Sequence, residues 1–301
     1  MKKVVFMGTP HYARDILETL IIDDRFEVSL VITQPDRPVG RKKILTAPPT
    51  KELAESHNIK VVQPQNLNSN DILKDIGNPD FIIVAAFGQI LPKSILDIAP
   101  SINLHASILP KYRGASPVQQ SLLNGDKYSG VTAMMMEEGL DTGDILGFKY
   151  FKIPSNMRLE ALMKQLTLDA CELTIDTLLR FDSLKPTPQL DIDSSLCKKI
   201  KKSDGEIEFD NANILYNKYR AYQGWPDIFT KDRLKLLNIE LIESNTQNEA
   251  GKILEINSDN IVVGCLRGTI SIKEVQPISK KAMDIKSYIV GRGIKVGDYI
   301  T

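Results

Sequence analysis

The order of elements in the first 34 residues restricts the fold of the whole chain. An apolar run over residues 4–7 ends at Gly8, a segment with apolar residues at helical spacing follows, and a second apolar run covers 28–34. A strand, a helix and a strand in this order favour a parallel sheet with right-handed crossovers. We therefore predict a Rossmann-like α/β domain, in which ligands bind at the carboxyl ends of the strands.

The length of the chain and a change in its composition indicate two domains. At 301 residues it is long for one hydrophobic core. The stretch from Phe181 to Gly205 is rich in proline, serine, aspartate and lysine, as interdomain linkers often are. Short apolar runs separated by turns follow and predict a small β-barrel or sandwich. We place a catalytic domain at 1–185, a linker at 186–205 and a β domain at 206–301.

Charge, cysteine content and hydropathy argue against an overall basic protein, a protein built on disulfides or cysteine-bound metal, and a membrane-spanning protein. The 38 basic residues balance the 38 acidic ones, so a nucleic-acid partner would have to bind a local cluster of cations. The three cysteines lack metal-ligand spacing and are odd in number, as expected in a reducing cytosol. No apolar run approaches the roughly 20 residues that span a bilayer. We expect a cytoplasmic protein that acts as a monomer, without a membrane segment.

One strand pattern carries two polar side chains suited to catalysis. Ile102 and Leu104 alternate with Asn103 and His105, and the pattern stops before a cationic, glycine-containing turn that begins at Pro110. Side chains two residues apart on a strand point the same way. An amide and an imidazole on one face at the end of a strand can bind and protonate an oxyanion.

A glycine-punctuated acidic loop at 137–146 contains Asp141 and Asp144. An aspartate in such a loop often caps backbone N–H groups of a turn. It can also orient an imidazole and raise its pKa. The residues alone leave both interpretations open and do not say which carboxylate would act on His105.

A proline-rich segment at 34–51, here called the basic arm, concentrates positive charge. Its four prolines and Gly40 predict that it forms no regular element. It is either a solvated surface loop or a mobile segment that contacts phosphates. Against the single acid Asp36 it carries five cations, which are Arg37, Arg41, Lys42, Lys43 and Lys51.

The other periodic segments predict further elements. Helices are expected at 51–57, 70–76, 117–124, 158–179 and 212–221. Strands are expected at 59–64, at 80–92 with a break at Gly88, and at 130–136, 234–242, 251–255, 260–264 and 269–275.

Five segments together resemble a known family. They are FMGTPHYA (6–13), TQPDRPVGR (33–41), AAFGQILP (85–92), NLHASILPKYRGASP (103–117) and GLDTGDIL (139–146). In this order they resemble the folate-dependent formyltransferases, and the similarity runs through nearly the whole chain. The arm sequences QPDRP and GRKK are similar to those of the members that act on initiator tRNA.

The resemblance implies a reaction and its catalytic residues. The amine of methionine, esterified to initiator tRNA, would take a formyl group from 10-formyltetrahydrofolate, without a metal. The family's catalytic residues fall on Asn103, His105 and Asp141. Asn103 would bind the developing oxyanion, His105 would donate to it or manage the transferred proton, and Asp141 would orient His105.

The resemblance also implies the binding residues. In the family a loop like the basic arm wedges into the acceptor end of the tRNA, and an OB-like barrel forms the second domain and contacts the tRNA. The expected tRNA-binding residues are Arg37, Arg41, Lys42 and Lys43. The expected folate-binding residues are Phe87, Gln89, Ile90, Leu91, Ser107, Ile108, Leu109, Pro110, Glu138, Gly139 and Leu140.

Three alternatives are weighed against this interpretation. A related formyltransferase acting on a small amine would share Asn103, His105 and Asp141 but would lack the basic arm. A tRNA-binding protein with a decayed enzyme domain would not be expected to keep all three residues. A nicotinamide dehydrogenase is disfavoured because Gly8 is followed by Thr9, Pro10 and His11, so the G-x-G-x-x-G fingerprint is missing.

Overall fold

The protein was analysed as a computed structural model that describes residues 1–40 and 42–300. The chain divides into two compact units. The first comprises Met1–Pro117, Tyr128–Lys152 and Met163–Lys198, and the second comprises Val118–Lys127, Ile153–Leu162 and the chain from Lys199 onward. Neither unit is therefore one continuous stretch of sequence.

The elements up to residue 197 follow in chain order. They are β1 (Lys2–Gly8), α1 (His11–Ile22), β2 (Phe26–Ile32), β3 (Arg37–Val39), β4 (Ile44–Thr46), α2 (Pro49–Ser56), β5 (Val61–Val62), α3 (Asn70–Ile76), β6 (Phe81–Ala85), α4 (Lys93–Leu96), β7 (Ser101–His105), β8 (Arg113–Gly114), α5 (Pro117–Leu123), β9 (Tyr128–Met135), β10 (Ile145–Lys152), α6 (Leu159–Arg180) and β11 (Leu196–Cys197).

The first unit is built on a seven-stranded sheet in the order β10-β9-β7-β6-β1-β2-β5. Strands β7, β6, β1, β2 and β5 are parallel, whereas β9 pairs antiparallel with β7 and β10 pairs antiparallel with β9. The chain proceeds from β1 to β2 and β5, then crosses to β6 and β7 on the other side of β1. The carboxyl ends of β1 and β6 thus border a topological switch point, where open α/β sheets bind ligands.

The parallel strands form because they are apolar on both faces, as a sheet covered by helices requires. Every residue of β6 is buried, and Val4–Met7 of β1 are fully inaccessible to solvent. Phe87 and Leu91, just beyond β6, join the same hydrophobic cluster. The strand ends that carry the candidate site therefore rest on a rigid base.

The basic arm corrects one expectation. It contains a two-stranded antiparallel ribbon, β3 with β4, although we expect no regular element there. Pro38 is tolerated because a two-stranded ribbon leaves each strand an outer edge that needs no N–H donor. Pro49 begins α2, where the missing N–H would be unpaired in any residue.

Two further differences from the predicted elements lie near the site. Strand β6 ends at Ala85 rather than at the predicted break at Gly88, because Ala86 has φ +45° and turns the chain. Strand β10, over residues 145–152, is an addition to the predicted elements.

The second unit contains helices and a sheet of antiparallel strands. Its elements are α7 (Ala212–Ala221), β12 (Ile228–Phe229), β13 (Lys235–Gln247), β14 (Ile253–Ile256), β15 (Ile261–Gly264), β16 (Arg267–Gln276), β17 (Met283–Asp284) and α8 (Ile285–Val290). The strand order is β12-β13-β16-β15-β14, and β17 pairs with β16. The arrangement is consistent with a small β-barrel-like domain, so the predicted fold class is confirmed. No helix within 1–40 and 42–300 is both long and apolar enough to cross a membrane.

Candidate active site

The site is centred on β7, an inner strand of the large sheet. Asn103 pairs with Val84 of β6 on one side and with Met134 of β9 on the other. Because β7 is paired on both edges, its backbone is fixed. Asn103 and His105 are 8% and 6% exposed, so both side chains are held in the body of the unit with only a small surface available to a ligand.

The Asp141 carboxylate joins the polar groups of the site. Its Oδ1 accepts a hydrogen bond from Asn103 Nδ2 at 3.3 Å, and its Oδ2 accepts one from the Gly114 N–H at 2.8 Å. The same Oδ2 lies 3.6 Å from His105 Nδ1, an ion-pair distance rather than a hydrogen bond. Asp141 has φ +54°, an unusual conformation for a non-glycine residue and one that occurs often at functional sites.

The opposite nitrogen of His105 is engaged as well. His105 Nε2 lies 2.9 Å from the Tyr112 carbonyl oxygen, which can only accept, so the Nε2–H donates. The ring is therefore held between a main-chain carbonyl and a carboxylate, and both of its nitrogens face oxygen atoms. This arrangement fixes the plane of the imidazole, and a second proton, on Nδ1, would face Asp141.

The Tyr112 carbonyl also accepts a hydrogen bond from the thiol of Cys197, at 3.3 Å. Burial, and to a lesser degree the charge of Asp141, raise the pKa of the Cys197 thiol. Cys197 therefore stays protonated at neutral pH and acts as a donor to the turn that carries Tyr112, not as a nucleophile.

Gly114 is a part of the site that inspection of the sequence does not single out. It has φ +120°, and a Cβ there would lie 2.4 Å from the Cys197 carbonyl oxygen. Only glycine allows β8 to approach β11 this closely while its N–H faces Asp141. The motif that contains Pro110 also contains Gly114, but no local sequence pattern indicates that residue 197 packs against this glycine.

Gln189 and Arg113 stabilise the loop that carries Asp141. Gln189 Nε2 donates to the carbonyls of Asp141, at 3.0 Å, and Gly143, at 2.8 Å. Arg113, which is 6% exposed, donates to Gln189 Oε1 and to Asp191. No local pattern identifies Gln189 as part of a site, because it lies in a proline-containing stretch typical of linkers.

The turn after β7 is held by hydroxyl groups. Thr132 Oγ1 accepts from the Leu109 N–H and donates to the Ser107 carbonyl. Ser107 Oγ in turn donates to the Lys111 carbonyl. The predicted folate segment 107–110 is thus anchored to β9, with a cis peptide bond between Leu109 and Pro110.

The predicted folate-binding residues differ in how much surface they present. Phe87, Leu91, Ser107 and Leu109 are buried, so they contribute main-chain groups and a rigid base. Ile90 and Leu140 are 72% and 54% exposed, and each presents an apolar side chain. Gln89, Ile108 and Pro110 are intermediate, whereas Glu138 and Gly139 are exposed.

In the basic arm, the predicted tRNA-binding residues Arg37, Lys42 and Lys43 are exposed. Arg41 lies outside the described residues. Three apolar side chains of the ribbon, Val39, Ile44 and Leu45, are more than half exposed beside these cations.

Among all the described residues, no group of three or more His, Cys, Asp or Glu residues is arranged to hold a metal ion.

Comparison with known proteins identifies the family. The family model for formyl transferase matches residues 1–178, and the model for the formyl transferase C-terminal domain matches 199–293. A methionyl-tRNA formyltransferase of Sulfurovum is 59% identical, with 99% of each chain covered. One of Nitratiruptor is 52% identical, over 98% of this chain and 99% of the relative.

A solved structure shares the fold. The N-formyltransferase of Helicobacter canadensis, crystallised with folinic acid and dTDP-3-aminofucose, has a TM-score of 0.68 at 20% identity, over 92% of this chain and all of that one. At that identity the likeness concerns the fold alone. The full-length relatives and the matched domains are decisive, and the chain belongs to the methionyl-tRNA formyltransferase family.

Proposed function

We propose that this chain transfers the formyl group of 10-formyltetrahydrofolate to the amino group of methionyl initiator tRNA. The observation that carries the proposal is the convergence of Asn103, His105 and Gly114 on the Asp141 carboxylate, at the carboxyl ends of a parallel sheet. Relatives with at least 45% identity over nearly the whole chain are methionyl-tRNA formyltransferases, which supports the substrate assignment.

The reaction forms a bond between the methionine nitrogen and the formyl carbon and breaks the bond between that carbon and a folate nitrogen. The attacking amine loses a proton, and the departing folate nitrogen gains one. The folate supplies an activated formyl group, so the protein has to stabilise charge on the formyl oxygen and move one proton. Preorganised donors in a partly desolvated site are suited to this task.

Asn103 provides the donor for the formyl oxygen. An amide nitrogen carries two hydrogens, and only one of them is directed at Asp141 Oδ1. The second is available to an oxygen on which negative charge develops. Asp141 keeps the amide in this orientation, since its other oxygen is fixed by Gly114.

His105 and Asp141 manage the proton that passes from the amine to the folate nitrogen. The contact of Nε2 with the Tyr112 carbonyl orients the ring, and Nδ1 faces Asp141. A carboxylate beside the imidazole stabilises the positive charge that the ring gains when it takes up a proton. Asp141 thus acts on both Asn103 and His105.

The described residues fit a folate at this edge of the sheet. A pterin presents hydrogen-bonding edges and two flat apolar faces. Main-chain groups of 87–91 and 107–110 can meet the edges, while Ile90 and Leu140 offer exposed apolar surface for the faces. Glu138 and Gly139 complete the predicted set.

The basic arm and the second unit bind the tRNA in this proposal. Arg37, Arg41, Lys42 and Lys43 contact phosphates at the acceptor end, and the exposed apolar residues of the ribbon lie beside them. We assign formyl transfer to residues 1–185 and tRNA binding by an OB-like barrel to 206–301, joined by 186–205. The chain acts as a monomer in the cytoplasm, where initiator tRNA is charged.

The direct test is transfer of label from radioactive 10-formyltetrahydrofolate. Label should appear in the methionine of charged initiator tRNA, and not in free methionine mixed with uncharged tRNA. An amino-sugar nucleotide serves as the comparison substrate for a small-amine formyltransferase. Label in the sugar nucleotide, with none in the tRNA, would overturn the proposal.

The variants Arg41→Ala and Lys42→Ala/Lys43→Ala should reduce kcat/KM for charged tRNA. Each lost phosphate contact should lower the slope of log K against log salt by about 0.7 to 0.9. Binding should be measured over a series of salt concentrations. Lys74→Ala is the matched control, because Lys74 is an exposed lysine of α3 in the same unit. A slope equal to that of the wild type in both arm variants would show that the basic arm does not contact phosphates.

A further inference from the structure

The base of the basic arm is tied to the body of the first unit by one carboxylate. Both oxygens of Asp36 accept from Lys51 Nζ, at 3.0 and 2.9 Å, and Oδ1 also accepts from Gln63 Nε2 at 2.7 Å. Lys51 Nζ donates in addition to Gln63 Oε1, at 3.0 Å. The Lys51 and Asp36 side chains are only 20% and 26% exposed, so the pair is partly shielded from solvent.

The helix that carries Lys51 is itself tied to the large sheet. Thr50, which precedes Lys51 at the start of α2, is fully buried and donates through Oγ1 to the Gly8 carbonyl at 2.9 Å. Its hydroxyl also lies 3.0 Å from the hydroxyl of Thr33, at the end of β2. Lys51 therefore extends from a helix that is fastened to the carboxyl ends of β1 and β2.

The same network reaches the predicted folate segment. Gln63 Nε2 donates to the Gln34 main-chain carbonyl at 2.8 Å, and Gln34 Nε2 donates to the Phe87 carbonyl at 3.2 Å. Thr9 Oγ1 donates weakly to the same carbonyl, at 3.4 Å. A continuous series of hydrogen bonds thus runs from Asp36, through Gln63 and Gln34, to the end of β6.

Asp36 is the only acidic residue of the basic arm, and its charge opposes phosphate binding. The Gln63 amide and the Lys51 ammonium lower its pKa, so it is ionised at neutral pH. It also engages Lys51, a cation that would otherwise be available to a phosphate. If the arm acted through charge alone, Asp36 would weaken tRNA binding.

We propose that Asp36 and Lys51 are positioning residues, which hold the base of the basic arm in one place while the cations of the arm bind the acceptor end of the tRNA. This inference rests on the proposed function. An arm whose base is held in place before binding loses less conformational entropy when the tRNA binds, and this raises affinity without any new contact. The link through Gln34 aligns the arm with the strand end beside the reacting groups.

Asp36→Asn separates the two possibilities because their effects have opposite signs. If charge dominates, the variant loses one negative charge and frees Lys51, so binding of charged tRNA should tighten and its salt dependence should steepen. If positioning dominates, KM for charged tRNA should rise about tenfold while kcat changes little, as expected for lost pre-organisation. We expect the second result.

Two matched variants complete the kinetic test. Glu55→Gln makes the same change in charge at an exposed position of α2 and should leave KM for the tRNA close to that of the wild type. Lys51→Met should raise KM about as much as Asp36→Asn, and the double variant should be little worse than either single one, because both remove the same interaction. Additive effects of the two substitutions would overturn the inference.

An independent readout does not depend on activity. Trypsin should cleave the basic arm at Lys42 and Lys43 several-fold faster in Asp36→Asn than in the wild type or in Glu55→Gln, with unchanged thermal unfolding of the whole chain. Equal cleavage rates, or a lower KM in Asp36→Asn, would refute a positioning role. Wild-type protein that does not formylate charged tRNA would instead refute the proposed function, so the two failures are distinguishable.

Discussion

Asp141→Asn is expected to lower kcat for formyl transfer by about 10³-fold, within the range that groups acting on protons and developing charge contribute. The substitution keeps the size of the side chain but removes its charge. An amide also cannot accept from both Asn103 and Gly114 while facing His105, since one of its two ends donates. Single-turnover measurements with saturating folate and charged tRNA would report the chemical step directly.

Asp144→Asn is the control for Asp141→Asn. Asp144 lies in the same acidic loop, and its main-chain carbonyl, which accepts from the Met135 N–H, is unaffected by the change. It should keep nearly full activity. If the two variants retained similar turnover, Asp141 would not be the carboxylate on which catalysis depends.

His105→Ala should likewise reduce kcat by 10²-fold or more, because a positioned acid–base group typically contributes about 10² to 10⁴. It should also lower stability, since the Tyr112 carbonyl loses its imidazole donor and keeps the Cys197 thiol, and a typical hydrogen bond contributes about 0.5 to 1.5 kcal/mol. Folate binding should persist, because the predicted folate contacts lie on other residues. Turnover, folate affinity and thermal unfolding should therefore be measured on the same preparation.

His105→Gln distinguishes a catalytic role of the ring from a structural one, because turnover and thermal unfolding should respond differently. The glutamine side chain can still donate to the Tyr112 carbonyl, so stability should partly return while turnover stays low. His57→Ala, at an exposed position just after α2, is the matched control and should behave like the wild type. Recovery of turnover together with stability in His105→Gln would mean that the ring is needed only for packing.

The sequence was informative wherever local periodicity sets the structure. The helix over 70–76 and the helix over 212–221 have the predicted bounds, because each combines a polar residue at its N-cap with apolar residues at helical spacing. Placing Asn103 and His105 on one face required only the two-residue period of a strand. The parallel sheet followed from a single strand–helix–strand unit.

The partners of these residues could not be predicted, because they depend on contacts between distant segments. The Gly114 N–H reaches Asp141 only because β8 pairs with β11, some eighty residues later in the chain. Gln189 carries no motif, and its role arises from where the chain passes after α6. The proline content of the basic arm does not predict its short ribbon, because a two-stranded ribbon has unpaired outer edges at which proline is tolerated.

The pairing of β8 with β11 bears on how chimeras between relatives should be built. A hybrid joined at residue 186 would take its Asn103, His105 and Asp141 from one parent, but the Gln189 that secures the Asp141 loop and the Cys197 against Gly114 from the other. A junction after Lys198 keeps these partners from one parent. If the β domain binds the tRNA as proposed, its exchange between relatives is best made at this junction, because the groups that hold Asp141 and Gly114 then stay together.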